Sequence, residues 1–133
     1  MGHHHEIPVR YGEVDMQRVV FNAHYLAYVD DAMDHWMREL DGNFEAMGWD
    51  YMLKRAEVDW LGSAGSGDLI EIESRIAKWG TTSFVVHHRL HVGARPVVSV
   101  LVTYVGVEAG SAVTAAPPAR VREHLGEPAP PGT

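Results

Sequence analysis

Leu26, Val29, Met33, Trp36, Met37 and Leu40 recur at spacings of three and four, and the rest of the chain has to be arranged around them. That spacing predicts one amphipathic helix over 23–40 with the six side chains on a single face. Asp30, Asp31, Asp34 and Arg38 fall largely off the stripe, as solvated positions do. Asn22 stands where an N-cap is expected, its side-chain oxygen placed to accept from the first-turn amides, and Gly42 stands just past the end. No other segment is strongly periodic in this way. A helix with one broad apolar face must be covered by something else.

The cover is strand-like. Ile7, Val9 and Tyr11 alternate with Pro8, Arg10 and Gly12, which predicts a short first strand, and 12–18 break the pattern. Beyond Gly48, Ala56, Val58 and Trp60 alternate with charged residues, and 62–67 are small and polar, hence a loop. Ile70, Ile72 and Ile76 share one side of a strand over 69–78, and Gly80 ends it. Phe84, Val86 and Leu90 are in phase over 82–91, Val92-Gly93-Ala94-Arg95 is a hairpin connection, and 97–107 is a long apolar strand of the kind found near a sheet centre. Pro117-Pro118 opens a tail with one short helix around 121–125. The order predicts an α+β fold: a curved antiparallel sheet of about five strands wrapped around one long helix. Such a sheet keeps an exposed edge, so self-association as a homodimer or homotetramer is expected, with the active site at or near a subunit boundary. The long apolar strand over 97–107 adds to this, since it is a poor candidate for an open edge.

The folded domain is expected over 6–126, with a disordered Pro/Gly-rich end over 127–133. Met1-Gly2-His3-His4-His5 resembles an affinity tag, or a natural start of the same composition, and 1–5 are set aside from the fold. Three adjacent histidines are a poor zinc site, because structural zinc needs spaced ligands held by folded elements. His87, His88 and His91 do not converge either, since 87 and 91 face one side of a strand and 88 the other. They read as surface or interface residues, and no metal ligand is assigned.

A net charge of -7 argues against nucleic acid as a partner, whose binding rests on neutralised phosphates. No run reaches the roughly 18 apolar residues of a membrane span. There are no cysteines and no apolar leader at the start of the sequence, which together lead to a cytoplasmic expectation.

The segment Val9-Arg10-Tyr11-Gly12-Glu13-Val14-Asp15-Met16-Gln17-Arg18-Val19-Val20-Phe21-Asn22-Ala23-His24-Tyr25 resembles the signature of the 4-hydroxybenzoyl-CoA thioesterase family. There, an aspartate precedes a short turn, two hydrophobic residues and, ten positions on, a tyrosine; Asp15 and Tyr25 match that interval. Glu57-Val58-Asp59-Trp60, Gly67-Asp68, and Gly80 with Ser83 before a strand continue the likeness over roughly 7–125. It departs where the family usually carries Gly, here Arg18, and at Asn22 and His24. The resemblance implies a hotdog fold and an acyl-CoA thioesterase that needs no cofactor, the coenzyme A thioester being its substrate. It implies Asp15 as the catalytic carboxylate, either attacking the carbonyl to give a mixed anhydride or taking a proton from water. It also implies the backbone amide of Asn22 as the donor to the thioester oxygen, while the Asn22 side chain either caps the helix, holds the water or orients Asp15.

His24 and Tyr25, in the first helical turn, are candidates for substrate binding. Thr82 and Ser83, just after Gly80, are candidates to meet the pantetheine. Arg55, Arg75, Lys78, Arg89 and Arg95 are, as a group, candidates for the phosphates of coenzyme A. An acyl-carrier-protein thioesterase is a close variant of this reading, and a non-catalytic acyl-binding protein is its rival from another class. A hotdog dehydratase would show a His-centred motif followed by Gly and Pro, which is not found.

Overall fold

The computed structural model describes residues 2–40 and 44–128. Five strands form one sheet: β1 (His3–Pro8), β2 (Trp49–Trp60), β3 (Leu69–Trp79), β4 (Ser83–Val92) and β5 (Arg95–Glu108). Their order is β1-β3-β4-β5-β2, and every neighbouring pair is antiparallel. The long helix α1 spans His24–Arg38 and the short helix α2 spans Ala119–Leu125. The register shifts between Leu53 and Arg55, between Ile76 and Lys78, and between Leu90 and His91. Bulges of this kind bend a strand and increase its twist, which lets the sheet wrap a helix.

The core lies between them. From α1 it takes Tyr25, Tyr28, Val29, Ala32, Met33, Trp36 and Met37; from the sheet it takes Ile70, Ile72, Ile76, Phe84, Val86, Leu90, Val98, Val100 and Val102. The stripe read from the sequence is therefore rotated: Leu26 and Leu40 are half-buried, while Tyr25 and Tyr28 go fully inside. Two tyrosines can do so because their hydroxyls are satisfied there, Tyr25 accepting from the Ala64 amide at 3.2 Å and Tyr28 donating to Glu13 at 2.9 Å. The two-residue turn between β4 and β5 needs a positive φ at its first residue, and Gly93 supplies it at 60°. After β3, the Gly80 amide bonds the Ser83 carbonyl at 2.7 Å, so close that a Cβ at position 80 would press on Ser83.

Several sequence expectations shift. The first strand is His3–Pro8 and not 7–11, so His3, His4 and His5, set aside above, pair with Ser74, Glu73 and Ile72 of β3. Tyr11–Glu13 leave the strand direction as a single 3-10 turn, because the Glu13 carboxylate accepts from the Arg10 amide at 2.8 Å and draws the backbone round. Asn22 is not the N-cap: that position is Ala23, which is already in a helical conformation and makes no side-chain capping bond. The proposed stop at Gly42 lies outside the described residues.

His88 is the largest departure. It is fully buried, with Nδ1 2.7 Å from Ser74 Oγ and Nε2 3.1 Å from the Tyr104 hydroxyl. Its parity with Phe84, Val86 and Leu90 put it on the core face of β4, and Ser74, opposite it on β3, fills the gap between Ile72 and Ile76. The long apolar strand β5 is interior, flanked by β4 and β2. The open edges are β1 and β2, so self-association has to be argued from those strands and not from β5. Among the described residues no helix is long and apolar enough to cross a membrane.

Candidate active site

Asp15 sits at the start of a tight hairpin. Val14 pairs with Val20, the Asp15 amide bonds the Val19 carbonyl at 2.9 Å, and the Arg18 amide bonds the Asp15 carbonyl at 2.9 Å. Met16, Gln17 and Arg18 form the loop. Asp is suited to the first position of such a turn because its side chain accepts from the amide two residues on, and Asp15 Oδ1 accepts from Gln17 at 2.8 Å. Oδ2 has no hydrogen-bond partner among the described residues. Asp15 lines an open cleft of about 800 Å³ with Tyr11, Gly12, Val14, Met16, Arg18 and Ser66. Tyr11 is 85% and Met16 100% exposed, an apolar rim that nothing among the described residues covers.

The third loop residue of such a hairpin takes a left-handed conformation, and here it is Arg18 at φ 65°. An L-residue pays roughly 1–2 kcal/mol there relative to glycine. Arg18→Gly is therefore expected to stabilise the fold by about 0.5–1 kcal/mol, after the extra chain entropy of a glycine is subtracted. Urea denaturation checks this: an unchanged or lower midpoint for Arg18→Gly would remove the strain reading. The Arg18 guanidinium makes no ion pair among the described residues and stays at the mouth of the cleft.

Sequence reasoning missed Glu13. Its side chain is 8% exposed and gathers five donor atoms from three residues. Arg10 gives its backbone amide at 2.8 Å and its guanidinium at 2.5 and 2.9 Å, Tyr28 gives its hydroxyl at 2.9 Å, and His24 Nε2 lies at 3.1 Å. Burial alone would raise this carboxyl, but the bonds from Arg10, then those from Tyr28 and His24, outweigh it and hold it at about 2. An ionised Glu13 makes His24 Nε2 the donor in that pair. Tyr28 is pushed up by its burial and by Glu13. The sequence signal was present in pieces: Arg10 and Glu13 three apart, and His24 and Tyr28 four apart on one helical face.

The other candidates divide. Asn22 is exposed, its carbonyl accepting from the Trp60 indole at 3.3 Å, and its amide makes no hydrogen bond among the described residues. Tyr25 is buried beneath the loop that follows β2, and His24 is tied to Glu13. No hydrogen bond joins Asp15 to Asn22, His24 or Tyr25 among the described residues. Thr82 and Ser83 lie far away: Ser83 opens β4 beside the Trp79 end of β3, while the Leu69 end of β3 pairs with Pro8 near the hairpin. With ten residues in β4, that is roughly 30 Å along the sheet. Within one chain, Thr82 and Ser83 are not in this site.

The basic group is not one cluster. Arg55 pairs with Glu57 on edge strand β2 and Arg89 with Glu73, while Arg95 donates to the Ser63 carbonyl at 2.5 Å and approaches Asp68. Arg75 and Lys78 belong to β3, three strands away from Arg55, or roughly 14 Å.

The sequence model of the thioesterase-like superfamily matches residues 9–125. Among solved structures, the 1,4-dihydroxy-2-naphthoyl-CoA thioesterase Slr0204 from Synechocystis superposes with a TM-score of 0.83 at 16% identity, over 94% of this chain and 96% of its own. The PA5185 protein of Pseudomonas aeruginosa superposes at 0.83 with 24% identity, over 92% and 88%. The probable thioesterase YbaW from Escherichia coli gives 0.81 at 20%, over 92% and 96%. No curated protein matches the sequence. The structural likenesses establish the hotdog architecture, and the superfamily match covers the hairpin, the helix and all four strands that follow. The chain belongs to the thioesterase-like superfamily of hotdog-fold thioester hydrolases.

Proposed function

We propose that this protein hydrolyses acyl-CoA thioesters with Asp15 as the reacting carboxylate. The observation that carries this reading is the state of Asp15: one oxygen is held by the Gln17 amide and the other is unengaged, in a cleft at the start of a fixed hairpin. A carboxylate so anchored has its orientation set before substrate arrives. It either attacks the thioester carbon, expelling coenzyme A thiolate and leaving a mixed anhydride for water to open, or takes the proton of a water that attacks directly. Both routes end in free acid and coenzyme A. The unengaged Asn22 amide, at the entry to α1, is the donor we assign to the thioester oxygen. Glu13 serves as a positioning residue, its bonds to Arg10, His24 and Tyr28 tying the hairpin to the first turns of α1.

Hydrolysis of short, medium, long and aromatic acyl-CoAs, followed by free-thiol release, tests the reading, with acyl-carrier-protein thioesters as comparators. No turnover of any of them would remove it. The absence of cysteines fits action in the cytoplasm.

We also propose a homo-oligomer, at least a dimer, assembled through β2. Between its charged residues this edge strand exposes Met52 (51%), Leu53 (46%) and Trp60 (54%), apolar surface that a second copy of the chain would cover. Trp60 reaches the Asn22 carbonyl, so an interface on β2 adjoins the entry to α1. Met52→Lys with Leu53→Glu is expected to shift sedimentation at micromolar concentration toward monomer and to lower turnover with it. A wild-type chain that sediments as a fully active monomer would sink this idea.

A further inference from the structure

The three histidines at the start of the chain do not act together, because alternate residues of a strand face opposite sides. His4 lies on the exposed face of β1, near Glu6 and Glu71. His3 and His5 face α1: His3 stacks on Trp36 with ring centroids 5.9 Å apart, and His5 lies 4.3 Å from the His35 ring by the same measure. Asp31 and His35 are four residues apart, so they share one face of α1. His5 Nε2 lies 2.7 Å from Asp31 Oδ2, and His5, Asp31 and His35 each offer a ligand atom within 4.8 Å of the others.

We propose that His5, Asp31 and His35 bind a divalent transition metal of the zinc class, joining edge strand β1 to helix α1. Two imidazoles and a carboxylate are a ligand set for such an ion, with the fourth tetrahedral position left to water. Bonds of about 2.0–2.1 Å place tetrahedral ligands ~3.3 Å apart. The observed separations, from 2.7 Å to at most 4.8 Å, bracket that value. His35 is exposed, so its ring is free to turn toward the other two. The hydrogen bond between His5 Nε2 and Asp31 Oδ2 occupies the place the metal would take, so binding exchanges it for two metal–ligand bonds while the neutral imidazole carries its proton on Nδ1.

A second observation points the same way. His3 is 9% exposed in its side chain, and its rings stack beside His5 with centroids 6.2 Å apart. Its Nε2 is the one buried side-chain nitrogen or oxygen without a hydrogen-bond partner among the described residues. Buried polar atoms are rarely left so, and this one belongs to the ring stacked beside His5 of the ligand set. The site also has structural sense, since β1 is bonded to the sheet on one side only, by β3. None of its ligands belongs to the Asp15 hairpin, so it stands or falls independently of the hydrolase reading.

The test is titration of the whole chain with Co²⁺, read by visible absorption, and with Zn²⁺, read by calorimetry and melting. One metal per chain is expected, with Tm raised roughly 5–10 °C by Zn²⁺ at a hundredfold excess over Kd. His35→Ala and Asp31→Asn leave all three terminal histidines in place, and each is expected to weaken binding at least tenfold. Wild-type affinity in both variants would mean that the consecutive histidines bind metal by themselves, and overturns the proposal. Loss of binding in His4→Ala with His35→Ala unaffected would put the ion on His4, Glu6 and Glu71, and overturns it too. So does a wild-type chain that binds neither ion. Metal-free melting verifies that the variants are folded; if Asp31→Asn is not, His35→Gln at its exposed position carries the same comparison.

Discussion

Asp15→Asn is expected to lower kcat on the best acyl-CoA by about 10²–10⁴-fold while the melting temperature stays within a degree or two of wild type. The two halves of that result come from different parts of the side chain. Oδ1 accepts from the Gln17 amide, and the amide oxygen of asparagine accepts in the same way, so the hairpin keeps its turn. The charge is what the chemistry uses, and an amide neither attacks a thioester nor takes a proton from water. If Asp15 were a turn residue only, the substitution would cost little in either measurement. A variant retaining more than about a tenth of wild-type kcat, outside the range expected for loss of a general base, would discard Asp15 as the reacting group.

Glu13→Gln supplies the contrast. Glu13 is the nearby carboxylate with five donor atoms around it, and its neutral analogue is expected to lower the melting temperature first and kcat by less than Asp15→Asn does. The reverse ranking would transfer the reacting role to Glu13.

The second large effect is on stability and lies in the core. His88→Leu is expected to destabilise the fold by about 2–5 kcal/mol, because Ser74 Oγ and the Tyr104 hydroxyl each lose a buried partner at roughly 1–3 kcal/mol. The triple change His88→Leu, Ser74→Ala, Tyr104→Phe removes all three polar groups together, and much of that loss is expected to return. The pair of urea midpoints separates a polar network from a mere volume change: equal destabilisation of the single and triple variants would exclude the network. Acid supplies a second readout. Burial, and then the proximity of His87 and His3, depress His88 from 6.5 to about 3. The folded state therefore keeps His88 neutral while the unfolded chain takes up a proton below pH 6.5, so unfolding gains as the pH falls. The contribution is fully present above about pH 6.5 and is lost progressively toward about pH 3. Between pH 6.5 and 5 the expected loss is at most about 2 kcal/mol, from 1.36 kcal/mol per pH unit. The triple variant should show a flatter acid limb over that interval, and an identical limb would contradict the assignment.

Local pattern carried much of the architecture. A 3.6-residue period in one segment and a two-residue period in the segments after Gly48 are properties of neighbours in sequence, and each reports directly which face is apolar. Gly80, Gly93 and Pro117-Pro118 act at single positions, so the ends of β3, β4 and α2 could be placed from them. The turn at Asp15 was legible for a similar reason: the suitability of an aspartate for the first position of a turn is local.

What lay beyond reach depended on partners distant in the chain. His88 looked like a surface residue until Ser74, on the neighbouring strand, and Tyr104 came within hydrogen-bond distance; a core histidine is affordable only when both ring nitrogens are satisfied, and no local pattern shows that. Glu13 became a hub because α1 brings His24 and Tyr28 back over a turn eleven and fifteen residues earlier. Thr82 and Ser83 were separated from Asp15 by the length of β4, a distance that adjacency of motifs cannot express. The terminal histidines were discarded for lacking spaced, folded partners, and it was the packing of β1 on α1 that supplied Asp31 and His35. Sequence determined which segments have an apolar face and where the chain must turn. Tertiary structure alone decided which polar groups those faces bring together, because burial makes an unpaired polar group costly and so selects its partner from anywhere in the chain.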